Sequence, residues 1–260
     1  MMQIPTLAAS IAAGQKPEVL FWVGCAGSFD ERAKKITKSF VKILQKAKVS
    51  FAVLGTEESC TGDPAKRSGN EFLFQIQALA NIEVMNSYQV TRIVTTCPHC
   101  FNTLKNEYPS LGGHYEVMHH TTFINTLLQE NRFTISGSHY KGKRITYHDP
   151  CYLGRANQIY EAPRELIQKL DAELVEMKNC KSKGLCCGAG GAQMFKEPEK
   201  GNKDINIERT EQALKTEPNI IAAACPFCNT MMSDGIKNKE QEGTVLVQDI
   251  AELISNAEDL

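Results

Sequence analysis

The chain has 260 residues, enough for one large or two modest domains, with 42% hydrophobic and 23% charged residues, ordinary globular values that exclude disorder. Lys plus Arg total 29 against 30 Asp plus Glu, a net charge of −1, which excludes a general electrostatic case for nucleic acid or an acidic membrane surface. The one abnormal count is ten cysteines.

The N-terminal stretch MMQIPTLAASIAAGQKPEV has no charged region before its weakly apolar part and makes a poor signal peptide. No apolar run approaches the about 18 residues of a membrane span. The expectation is a cytoplasmic protein with reduced thiols, whose membrane association, where it occurs, comes through a partner. In that compartment spaced cysteines mean metal binding or redox chemistry, not a disulfide framework.

In chain order, residues 19–23 (VLFWV) predict a strand leading into Cys25. Ile36, Phe40, Ile43, Leu44 and Ala47 recur at helical spacing, with Lys34, Lys35 and Lys38 on a solvated face. A strand at 51–55 precedes Cys60. A helix from Asn70 to Tyr88 carries Leu73, Ile76, Ala80 and Val84 on its apolar face. A strand at 92–96 ends at Cys97, and Pro98 suits the first position of a following helix. Residues 115–119 predict a strand and Thr122 to Glu130 a helix. A linker is expected from Gln129 to Lys143. The order then recurs: strands at 144–148, 173–177, 219–224 and 244–248, and helices at 163–170, 204–215, after Pro226, and at 251–257.

The cysteines repeat with the elements. Cys25 to Cys60 and Cys151 to Cys186 both span 35 positions, and each series ends in a C-P-x-C pair, Cys97–Cys100 and Cys225–Cys228. The two series are offset by 126 to 128 residues, the mark of an internal duplication. Alternating strands and helices predict an α/β fold of two tandem Rossmann-like βα repeats, residues 18–130 and 143–257, each with a parallel sheet.

In such sheets the functional crevice lies beyond the carboxyl ends of the strands. There Cys25, Cys60, Cys97 and Cys100 would converge in the first repeat, and Cys151, Cys186, Cys187, Cys225 and Cys228 in the second. Helix N-termini beside them favour thiolate over thiol. Four thiolates fit a structural zinc site or a [4Fe–4S] cluster. A fifth is surplus to both and points to a cluster of unusual shape or to an exchangeable ligand. Gly188, Gly190 and Gly191 read as backbone that approaches the centre closely; the lysine and spacing of a phosphate loop are missing.

The pattern C-x34-CC-x37-C-P-x-C of the second repeat resembles the CCG, or cysteine-rich, domain. That of the first, C-x34-C-x36-C-P-x-C, resembles the variant with one cysteine of the pair replaced, and Ser59-Cys60 is read as standing where the pair belongs. ESCTGDPAKR, HDPCYLGR, CCGAGGAQMF and CPFCNTMM are similar to segments of the CCG-bearing subunit of heterodisulfide reductase and of related bacterial Fe–S oxidoreductases, over roughly Glu18 to Val247. The resemblance implies a non-cubane [4Fe–4S] cluster on Cys151, Cys186, Cys187, Cys225 and Cys228. On Cys25, Cys60, Cys97 and Cys100 it implies a cubane [4Fe–4S] cluster, with zinc as the alternative. It also implies an electron-transfer subunit working beside a ferredoxin-like Fe–S subunit, with a flavoprotein as a further candidate partner. The first repeat's missing cysteine weighs against heterodisulfide cleavage.

Other residues read as structural. Cys180 has no counterpart in the first half and reads as an incidental thiol. His119 and His120 read as capping or surface histidines rather than a proton relay, and His148-Asp149 as a polar turn. Glu57, Glu58 and Asp63 read as solvated loop charges, Trp22 as packing, and Met194, Met231 and Met232 as core. Two other functions compete with electron transfer: a zinc-stabilised binding module, and a thiol–disulfide oxidoreductase using a C-x-x-C pair. No catalytic residue and no substrate is legible.

Overall fold

In the computed structural model, residues 4–136, 138–197 and 200–260 are described. After a short helix α1 (Leu7–Ala12), the first repeat runs β1 (Val19–Trp22), α2 (Gly24–Phe29), α3 (Glu31–Lys46), β2 (Phe51–Ala52), α4 (Asp63–Arg67), α5 (Glu71–Ser87), β3 (Arg92–Thr95), α6 (Pro98–Asn102), β4 (Glu116–His119) and α7 (His120–Gln129). The second runs β5 (Arg144–Tyr147), α8 (Glu161–Gln168), β6 (Glu173–Leu174), α9 (Ile205–Leu214), β7 (Ile220–Ala223), α10 (Pro226–Asn238), β8 (Leu246–Asp249) and α11 (Ile250–Ala257). No helix among the described residues is long and apolar enough to cross a membrane.

The strands are all parallel, in the orders β2-β1-β3-β4 and β6-β5-β7-β8. Central strands of such sheets are covered on both faces and read as unbroken apolar runs; every residue of β1 (VLFW) and β7 (IIAA) is buried. In each sheet the chain leaves its first strand in one direction and builds the later ones in the other. The switch point therefore falls between β1 and β3 in the first repeat and between β5 and β7 in the second, where an open α/β sheet forms its crevice.

Helix α3 matches its expected stripe. Asp30 caps it by accepting from the Ala33 amide at 2.7 Å, and Ile36, Phe40, Ile43 and Leu44 are buried. Helix α5 does not. Its buried residues are Phe74, Ala78, Asn81, Ile82 and Met85, whereas Leu73 and Ile76 are 41% and 49% exposed. Both sides of this helix are apolar, so periodicity alone could not say which would face the core. Strands β2 and β6 keep only two residues each. Beyond β2 the chain turns at Gly55, whose φ of +65° suits glycine, into a 3-10 turn.

One apolar core runs through both repeats, joining Phe21, Phe40 and Ile124 to Leu166 and Ile254. Helix α3 packs on α11 and α7 on α8. Each pairing joins a helix after a first strand to one after a fourth strand, so the repeats meet about a pseudo-two-fold. A buried polar chain ties this seam. Arg32 binds both oxygens of Glu252 at 2.7 Å and the Val247 carbonyl at 2.8 Å. Glu252 accepts from the Asp249 amide, closing a capping box at α11. Asp249 Oδ1 stands 3.0 Å from His120 Nε2, with both side chains fully buried. His119 is buried too, its Nδ1 2.8 Å from Thr121 Oγ1. The two histidines thus belong to the interior, correcting the surface reading.

Candidate metal centres

The cysteines gather at the carboxyl ends of the strands. Cys25 lies in the first turn of α2, Cys60 in the loop before α4, Cys97 at the N-cap of α6 and Cys100 within it. Cys225 and Cys228 hold the same places on α10. Cys151 follows β5 in a turn, and Cys186 and Cys187 sit in the loop between β6 and α9. No cysteine is in a disulfide.

Within each set the thiols bear directly on one another. Cys60 is drawn down to about 6 by the Cys25 thiol beside it and by the Gly62 amide, while Cys25 is pushed up by the same contact and by burial. Cys100 is pushed up by Cys97 and burial. In the second set Cys186 is held low by Cys151 and Cys187, Cys151 and Cys187 are held high by Cys186, and Cys228 is held high by Cys187 and Cys225. Protons are shared out within each set because several buried thiolates cannot ionise together without a cation. Cys180 stands apart, beside Glu176, Arg164 and Asp149.

Backbone geometry repeats around both sets. The Gly62 amide donates to Cys60 Sγ at 3.4 Å and the Gly188 amide to Cys186 Sγ at 3.3 Å, with φ of +88° and +93°. This match aligns Cys60 with Cys186 and therefore Thr61 with Cys187. Thr61, not Ser59, stands where the first repeat lacks a cysteine: it is buried, with Oγ1 4.0 Å from Cys100 Sγ. Ser59 instead turns its amide to Asn81 Oδ1 at 3.2 Å. Glycine is needed for close approach at Gly24, where a Cβ would lie 3.2 Å from Cys100 Sγ at a φ of +76°. At Gly190 a Cβ would touch Cys151 Sγ at 3.8 Å, so this backbone does pack against the sulfurs.

Polar groups behind the cysteines are buried, not solvated. The Glu58 carboxylate accepts from the Val23 and Gly24 amides at 3.0 and 2.6 Å, pinning the Cys60 loop to the helix that carries Cys25. Burial pushes Glu58 up to about 7 against those two donors. Asp149 receives both arms of Arg164, at 2.7 and 2.9 Å, and the Lys181 amide at 2.7 Å. Arg164 also grips Glu176.

Two histidines that were not expected to matter stand at the sets. His99, inside the first C-P-x-C pair, leans into the second repeat: its ring is 4.3 Å from that of Tyr152 and 5.2 Å from that of Phe227. Its Nδ1 is 2.9 Å from Asp63 Oδ2. Burial opposes a charge on His99, but Asp63 and the Cys225 sulfur beside it outweigh burial and hold the ring well above its usual range. A recess between the repeats is lined by Cys25, Cys60 and His99 on one side and Ala189, Met194 and Phe227 on the other. The other is His148, a ring nitrogen of which lies with Cys187 Sγ and Cys228 Sγ, all within 4.8 Å of one another. Neither role was legible: each depends on a neighbour distant in sequence.

The residues fit an anionic metal–sulfur group. Arg209 is fully buried, and among the described residues no carboxylate bonds it; the Cys228 and Cys187 thiolates lie among the anionic groups around it. A buried guanidinium needs a counter-charge, and a thiolate cluster supplies one.

A family model for the cysteine-rich (CCG) domain matches residues 19–105 and 145–233. The chain belongs to the cysteine-rich domain family. It is 45% identical over 256 residues to the probable iron-sulfur-binding oxidoreductase FadF of Bacillus subtilis, covering 98% of this chain and 36% of that one. To the EtfAB:quinone oxidoreductase of Syntrophomonas wolfei it is 44% identical over 250 residues, 94% of this chain and 35% of that one. To a subunit of the dihydromethanophenazine:CoB--CoM heterodisulfide reductase of Methanosarcina barkeri it is 32% identical, covering 93% of this chain and 59% of that one. The chain thus spans about a third of the first two relatives and under two thirds of the third. That third relative is a different heterodisulfide reductase subunit from the one whose motifs the cysteines resemble, so the likeness is to the iron–sulfur oxidoreductases as a group. Among solved structures, a hypothetical protein from Helicobacter pylori superposes with a TM-score of 0.56 at 9% identity, over 93% of this chain and 49% of that one, a likeness of fold alone.

Proposed function

We propose that this chain is an iron–sulfur electron-transfer module of an oxidoreductase complex, with one centre in each repeat. Cys25, Cys60, Cys97 and Cys100 hold a cubane [4Fe–4S] cluster, and Cys151, Cys186, Cys187, Cys225 and Cys228 a non-cubane one. When bound, such clusters supply one-electron acceptance and donation. The chain's own part is to hold the two sets at the switch points of facing repeats, to exclude water, and to surround the sulfurs with amide and ring donors.

The observation that carries this reading is the placement of His99. A residue from the first ligand loop packs against Cys225 of the second. A pair of independent zinc sites would gain nothing from that contact. A thiol–disulfide enzyme would need one C-x-x-C pair and no matched distal cysteines.

The iron–sulfur relatives support the same chemistry. The relative named for EtfAB and quinone supports a donor and an acceptor on separate proteins or domains. The partners proposed here are a ferredoxin-like Fe–S protein or domain and a flavoprotein. A relative named a probable membrane-anchored ferredoxin, from Chromohalobacter salexigens and 40% identical, supports membrane association through such a partner. Anaerobic purification tests the proposal: the protein should be brown, with iron and acid-labile sulfide in equal amounts. Colourless protein with zinc alone would refute it.

A further inference from the structure

His148 follows the first strand of the second repeat and is fully buried. Arg209, on α9, donates its Nε–H to His148 Nδ1 at 3.0 Å and its Nη1 to the Asn179 carbonyl at 2.7 Å. A guanidinium has no acceptor and keeps its protons in proteins. Nδ1 must therefore present its lone pair to Arg209. Burial and the Arg209 charge hold the imidazole neutral, down at about 3. In a neutral ring with a bare Nδ1, the proton sits on Nε2. Nε2 is buried and has no hydrogen-bond partner among the described residues. Its ring lies against the sulfurs of Cys187 and Cys228.

A nitrogen that carries a proton has no lone pair for iron, so this arrangement makes His148 a donor rather than a ligand. The first repeat carries a matching feature. Trp22 stands three residues before Cys25, as His148 stands three before Cys151. Its Nε1–H is likewise buried and without a partner among the described residues. Each repeat thus places one ring N–H at the end of its first strand.

We propose that Arg209 fixes His148 as the Nε2–H tautomer, and that this N–H donates to a sulfur of the second centre and raises its reduction potential. A donor to sulfur stabilises the more negative, reduced state more than the oxidised one. His148 is a positioning and tuning residue; it takes no electron itself. The inference rests on the reading of Cys151, Cys186, Cys187, Cys225 and Cys228 as ligands of an iron–sulfur centre.

The test is an anaerobic redox titration followed by electron paramagnetic resonance, with iron counted in each sample. In His148→Phe, full iron content, an unchanged first centre and a lower potential of the second are expected. His148→Gln, whose amide can still donate, should stand between His148→Phe and the parent. In the parent protein carrying 15N-histidine, pulsed resonance should show a weak nitrogen coupling and an exchangeable proton beside the second centre. An unshifted potential in His148→Phe would overturn the proposal, as would a strong, directly bonded nitrogen coupling in the parent. Absence of any iron signal from the second repeat in the parent would overturn both this proposal and the functional reading beneath it.

Discussion

His99 of the first repeat lies beside the sulfur of Cys225 in the second, its other ring nitrogen held 2.9 Å from Asp63 Oδ2. Asp63 is itself fixed by Arg67 at 3.0 Å, and Arg67 also pairs with Glu107. The first ligand loop thus reaches across the recess through a supported ring. His99→Phe keeps the ring volume and removes the donor. It should shift the resonance signal of the second centre although the residue belongs to the first repeat. A change confined to the first centre would contradict the contact.

Thr61 predicts a gain of ligand. Thr61→Cys places a fifth thiol beside Cys100, as Cys187 stands beside Cys228. With iron loaded, the Mössbauer and resonance spectra of the first centre should move toward those of the second. Ser59→Cys should leave them unchanged, because Ser59 is engaged with Asn81 instead. The opposite ranking would restore the reading in which Ser59 holds the missing place.

The Arg164–Asp149 pair predicts a stability effect. Side chains of both residues are 3–4% exposed. Removing the guanidinium strands a buried carboxylate next to Cys151, so Arg164→Ala should destabilise by about 3–5 kcal/mol, read by urea unfolding of the iron-loaded protein. A cost below about 1 kcal/mol, the level of a surface pair, would show that water reaches Asp149.

Across the seam, Arg32→Ala should cost about 1–3 kcal/mol, since Glu252 loses two charged hydrogen bonds in a partly buried place. Because one core joins the repeats, unfolding should remain a single transition. Two separated calorimetric transitions would contradict a shared core.

Removing the metal should loosen the loops that present the sulfurs. The Gly62 and Gly188 amides donate to Cys60 and Cys186. After anaerobic chelation these amides should exchange with solvent faster, while β1 and β7, buried throughout, keep their protection. Equal loss in loops and strands would mean that the metal holds the whole fold.

The cysteine spacing carried most of the site, because both repeats keep equal lengths between strand ends and the sulfurs follow the strands. Strand and helix order was legible for the same reason: buried parallel strands such as 19–22 and 220–223 are short apolar runs bounded by loops. What failed depended on choices the local pattern does not make. Helix α5 is apolar on both sides, and only docking selects Phe74 and Ile82 over Leu73 and Ile76. Thr61 was hidden because Cys60 has a polar neighbour on each side, and only the Gly62 amide reveals which one matches Cys187. His99 and His148 take their character from Cys225 and Arg209, partners that the chain brings together only when folded.

The measurement that bears most directly on the two-centre account is Mössbauer spectroscopy of protein loaded with 57Fe, together with iron, sulfide and zinc analysis. Two four-iron centres predict about eight irons per chain, in two populations with distinct parameters and no zinc. One iron population with about four irons, or zinc in place of iron in either repeat, would contradict it.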